Sequence, residues 1–157
     1  MPGRSLTFEH LEDLCRRRGL PFKTNEDTGQ IALLHRILDE DAPLYLIPHP
    51  GRGMVSFVVP LPFRVPAARY PFITEAAARL HHASCMGTWV LELATGELSF
   101  RVTLPVHGAE YTDDGVLFVT RVVVSTVEAA AADLRQIALA GKTSFDLWPR
   151  AALVPGA

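Results

Sequence analysis

Groups that could do chemistry cluster in one short stretch, His81-His82-Ala83-Ser84-Cys85. On a helix, His81 and Cys85 lie one turn apart, so an imidazole and a thiolate could reach one metal ion. Two ligands do not make a metal site, and no Cys-x-x-Cys or His-Glu-x-x-His accompanies them. Ser84 and Cys85 beside a histidine invite a nucleophile reading. A nucleophile needs a base that a third group orients, and no Gly-x-Ser-x-Gly elbow surrounds the serine. Core and helix-surface histidines account for the stretch more simply.

The other candidates are weaker. Pro48-His49-Pro50-Gly51-Arg52-Gly53 has the glycines and cation of a phosphate loop but lacks the Walker spacing and its lysine, and a hairpin turn explains it. Glu92 and Glu97 flank Thr95-Gly96; paired acids do acid–base work only where a pocket shifts their pKa. Arg52, Arg64 and Arg69 lie near Phe57, Phe63 and Tyr70, a mixture that single-stranded nucleic acid can use. The net charge of −2 and pI near 6.3 give that reading no electrostatic footprint, so direct nucleic-acid binding is not expected. The sequence predicts no enzyme, no cofactor and no metal.

The 157 residues fit one domain, and 48% hydrophobic content is that of a globular chain. Cys15 and Cys85 read as two free thiols, with a single bridge left open. The start, MPGRSLTFEHLEDL, has no apolar segment of signal-peptide type. The most apolar run, Val116 to Val127, contains Arg121 and is too short to span a bilayer. A soluble cytoplasmic protein without a membrane partner is the expectation.

The elements that would position these groups follow from period and punctuation. Leu6 to Arg18 reads as an amphipathic helix capped by Ser5 or Thr7 and stopped by Gly19. Asn25 to Gly29 is a turn. Ile31 to Leu38 fits both helix and strand, and the preceding turn favours strand. Leu44 to Pro48 and Met54 to Phe63 are strands. Thr74 caps a helix from Glu75 to about Ser84. Thr88 to Leu93 and Leu98 to Val106 alternate on either side of Thr95-Gly96 and form a hairpin. Thr112-Asp113-Asp114 opens a helix from Val116 to Ala140, with a break near Ser125 open. That helix is apolar on more than one stripe, which points to burial on more than one side and hence to a homodimer. The fold class is α+β, an antiparallel sheet of about five to six strands packed with helices, in the order α-β-β-β-β-α-β-β-α. Residues 1–141 form the domain, and 142–157 a tail, partly docked near Trp148 or disordered.

With these elements in order, the segment from Thr88 to Leu134 resembles the C-terminal half of YbjN-type proteins. Its markers are Trp89, Gly96, Leu104-Pro105, Gly108, and Thr112 before Val116. The upstream RRRGLPF, the strands and the alanine-rich helix are similar to the rest of that family, so the resemblance covers roughly Leu6 to Ala140. Family members often carry an asparagine near the end of the middle helix, where this chain has His81-His82-Ala83-Ser84. YbjN-type proteins are similar in fold to type III secretion chaperones. The resemblance implies a homodimer that binds a client protein without catalysis, in a bacterial stress or sensory response. The expected dimer or client surface is Trp89, Leu91, Leu93, Phe100, Val102, Phe118, Val119, Val122 and Val123. The alternative is a small-ligand sensor or cryptic enzyme using a cleft near His81, His82 and Cys85.

Overall fold

The computed structural model describes residues 6–148. Ser5 and the last part of the expected tail, 149–157, lie outside them. Helix α1 spans Phe8–Arg17, and the Thr7 hydroxyl caps it by accepting from the His10 N–H. Gly19 stops it in a left-handed conformation, φ +63°. Strands β1 (Phe22–Asn25) and β2 (Gln30–Leu33) follow, then a small hairpin of β3 (Arg36–Ile37) and β4 (Glu40–Asp41). Long strands β5 (Leu44–His49) and β6 (Met54–Arg64) lead into helix α2 (Tyr70–Ala83). The hairpin of β7 (Thr88–Glu92) and β8 (Glu97–Pro105) precedes helix α3 (Asp113–Leu139) and a one-turn helix α4 (Ser144–Leu147).

Six strands make one antiparallel sheet in the order β1-β2-β5-β6-β8-β7. Leaving aside the β3–β4 hairpin and α4, the chain order is the expected one. Alternation along each strand splits the sheet into two faces. Leu44, Leu46, Val55, Phe57, Val59, Phe100 and Val102 point to one face and are buried under the helices. Helix α3 packs across β6 and β8, α2 packs against β7 and α3, and α1 packs against β2. Lys23, Arg101 and Thr103 stand exposed on the opposite face.

Three expected elements change. The strand expected over Ile31 to Leu38 is two strands in different sheets. Leu34 and His35 break it, and Leu38 and Asp39 turn the chain back with φ of +54° and +62°. The apolar run looked continuous because Leu33 and Ile37 both face the core from separate strands. Helix α2 starts at Tyr70, four residues before the expected Thr74 cap, with Pro71 in its first turn. Proline needs no helical N–H there, and its fixed φ suits the position. Helix α3 is capped by Thr112 and unbroken through Ser125, and within it Ser125 and Thr126 donate their hydroxyls back to the Val122 carbonyl, which keeps both polar groups satisfied. By length and composition, α3 is apolar enough to cross a membrane. Here it is a core helix, with Val116, Val123, Val127, Leu134 and Ile137 buried against the sheet.

Candidate functional site

The His81–Cys85 stretch is not assembled as a site. His81 Nε2 accepts from the Trp89 N–H at 2.7 Å, which ties the end of α2 to β7. His82 is exposed. Cys85 alone of the three lines a groove of about 580 Å³ between α2 and α3, with Leu80, Met86, Trp89, Val122, Ala129 and Trp148. Both cysteines are free. Burial, reinforced by the Glu12 charge, pushes the Cys15 thiol up to about 11. Among the described residues, no three His, Cys, Asp or Glu side chains come together as metal ligands.

Of the remaining candidates, Arg52 is exposed, and Arg64, Arg69, Glu92 and Glu97 are tied into local structure. Arg64 pairs with Glu97 at 3.1 Å, and Glu92 accepts from the Ala94 N–H. Arg69 donates to the carbonyls of Ile137 and Lys142 and lies over the Phe72 ring. One polar chain escaped the sequence reading: His49 Nε2, Ser56 Oγ and Thr103 Oγ1 are linked at 3.0 Å each. No carboxylate among the described residues bonds to His49, so the third group of a nucleophile triad is missing.

Of the expected surface residues, Trp89, Phe100, Val102, Val119 and Val123 are buried in the chain's own core. Leu91 and Val122 are half-buried, and Leu93 and Phe118 are exposed at 65% and 62%. On α3, Phe118 therefore stands free, while Val122, Ser125 and Ala129 form one wall of the groove that faces α2 and Trp148.

The two edges of the sheet differ. In antiparallel strands, alternate residues turn their backbone groups to opposite sides. In β7, Thr88, Val90 and Glu92 bond toward β8, so Trp89, Leu91 and Leu93 face outward. Two of these three are already engaged: His81 takes the Trp89 N–H, and the Tyr70 hydroxyl donates to the Leu93 carbonyl at 3.0 Å. In β1, the Leu34 N–H bonds to the Pro21 carbonyl, which sets the alternation. Lys23 and Asn25 then face β2, while Phe22 and Thr24 direct their N–H and C=O groups outward. Beside this edge, Lys23, Ala32, Leu34, Pro43 and Tyr45 line a hollow of about 820 Å³. The sequence signalled neither edge, because strand order is set by pairing that no local pattern encodes.

No family model matches the sequence, and no curated protein does either. Solved structures do. YbjN from E. coli superposes with a TM-score of 0.64 at 13% identity, over 83% of this chain and 95% of its own. The structure of the ExsC–ExsE complex matches with a TM-score of 0.56 at 15% identity, over 87% and 99%. The HopA1–SchA chaperone–effector complex matches with 0.51 at 16% identity, over 80% and 91%. The chain has a YbjN-like fold of the type III secretion chaperone kind.

Proposed function

We propose that this chain is a non-catalytic, homodimeric protein-binding module of the cytoplasm that holds an extended segment of a client protein. We place it, as a chaperone or regulator, in a bacterial stress response. The observation that carries the reading is the unequal pair of sheet edges. A strand can be added where main-chain donors and acceptors point outward in register, and side-chain pockets beside that edge then select the sequence. The β1 edge offers both, while the β7 edge is capped. The fold is shared with chains solved in complexes, one of them a chaperone with its effector.

The test uses Thr24→Pro. Its N–H faces away from β2, so proline removes an outward donor without removing a bond of the sheet. Affinity capture from the source bacterium with the unmodified chain is expected to recover the same client repeatedly. Thr24→Pro should lose it while melting within about 2 °C of the parent, the shift that about 1 kcal/mol or less produces at this size. Equal capture by both chains would remove β1 from the proposal, and no reproducible client would sink the binding reading. Light scattering should give twice the 17.2 kDa chain mass.

A further inference from the structure

We propose that the client segment held at the β1 edge runs antiparallel to β1, with an acidic residue opposite Lys23 and, two residues later, a large apolar residue opposite Pro21. This rests on the strand-addition reading and gives the client a chemistry. Neighbouring strands throughout the sheet are antiparallel, and that sense is the more stable per residue. A strand added in that sense bonds to the outward N–H and C=O groups of Phe22 and Thr24. Lys23 and Pro21 turn their backbone groups toward β2, so their partners on the client take non-hydrogen-bonded sites. Cross-strand side chains approach closest at such sites. Pro21 has no N–H to offer, and none is needed there.

Lys23 supplies the charge. It is exposed and has no ion pair among the described residues. Its row on the open face continues in register through Ala32, Tyr45 and Val58 to Arg101, and holds no carboxylate. A client acid opposite Lys23 meets an unpaired ammonium, and a client lysine there meets repulsion. The acid has one place to sit. Moved two residues one way, it stands opposite Asn25, next to Glu26 and Asp27 of the exposed turn. Moved two residues the other way, it stands opposite Pro21, where the neighbours are apolar.

Leu34 supplies the apolar half. Its N–H bonds to the Pro21 carbonyl at 2.9 Å, which puts it in register with Pro21, and it is 45% exposed. It lines the hollow with Ala32, Pro43 and Tyr45, on the face that Lys23 occupies. A client side chain opposite Pro21 stands on that same face and lies across the proline ring toward Leu34. Asp41, on the hairpin wall of the hollow, is already matched in register with Arg36. In an antiparallel client, the residue opposite Lys23 comes two before the residue opposite Pro21. The one between them falls on the helix face, beside the half-buried Phe22. The order along the client is therefore acid, apolar, large apolar.

The test is an NMR titration of the full chain with acetyl-Thr-Thr-Glu-Val-Leu-Thr-amide and with the same peptide carrying lysine for glutamate. The Phe22 and Thr24 amide signals are expected to move downfield as the glutamate peptide binds. Its dissociation constant should be about three- to tenfold below that of the lysine peptide at low salt. Lys23→Glu should reverse that order. Serine in place of the peptide's leucine should weaken binding to the parent chain, and Leu34→Ser should erase that difference. Thr24→Pro should bind neither peptide. Binding that needs Thr24 but has no charge preference, or a preference that Lys23→Glu leaves in place, overturns the acidic client and leaves the β1 edge standing. Tighter binding of the reversed sequence, Thr-Leu-Val-Glu-Thr-Thr, overturns the antiparallel order. Binding undiminished by Thr24→Pro, or no amide shift at millimolar peptide, overturns both this client and the edge.

Discussion

At the scale of single residues, His81 is a hydrogen-bond acceptor. Its Nε2 holds the Trp89 N–H and so ties the end of α2 to the start of β7. A carboxamide oxygen can accept the same bond. His81→Gln, whose carboxamide oxygen reaches about as far as Nε2, is therefore expected to keep the melting temperature of the parent. His81→Ala leaves a strand N–H without its partner and should cost about 1 kcal/mol, a drop of roughly 2–4 °C in a scanning calorimeter. The two thiols should separate as sharply. Cys85 is exposed, while Cys15 is buried with its pKa pushed up to about 11, so little Cys15 thiolate exists at neutral pH. Titration with a thiol reagent at pH 8 should count one fast cysteine, and the second only after denaturation. Two fast thiols would contradict the packing of α1.

At the scale of elements, the chain uses a Thr-Gly turn twice, at Thr28-Gly29 and Thr95-Gly96, for different ends. Both glycines have positive φ, +65° and +73°. A Cβ on Gly29 would meet nothing within 4 Å, whereas one on Gly96 would lie 2.4 Å from the Val65 carbonyl oxygen. Gly29→Ala should cost about 1 kcal/mol, from backbone strain alone. Gly96→Ala should cost about 3 kcal/mol, because the Val65 backbone must also move; urea unfolding of the two variants checks the difference. The arginine run of α1 joins elements as well. Arg17 reaches both oxygens of Asp113 at 3.0 Å, and Arg18 reaches Asp114 at 2.8 Å, so the end of α1 is clamped to the acidic start of α3. These pairs are partly exposed, and Arg17→Ala should cost about 1 kcal/mol or less, an effect that fades toward about 1 M salt. The sequence showed an amphipathic helix ending in charge and a helix beginning in acid. It did not show that the two ends meet, because such contacts span 96 residues.

At the scale of the whole molecule, alternation and turn residues made the β7–β8 hairpin, the two long strands and the order of helices legible. The order of strands within the sheet was not, and it decides which edge is open. For the same reason, Phe100 and Val102 looked available as a surface: a strand pattern tells inside from outside only once the covering helix is known. Here α3 covers them, and Phe118 on α3 is left exposed instead. Releasing the β7 edge with Tyr70→Phe and His81→Ala together would give the sheet a second receptive side. Light scattering of that variant should rise above the parent at equal concentration, since exposed edges template association; unchanged scattering would mean that α2 alone shields β7. The place of α3 in the chain has a consequence for synthesis. Phe57, Val59, Phe100 and Val102 all leave the ribosome before the helix that covers them. At about 5–20 residues per second, roughly 2–7 s pass between the end of β8 and the end of α3. During that interval the nascent chain carries a finished apolar sheet face with no roof, and slow translation of the last third prolongs its exposure.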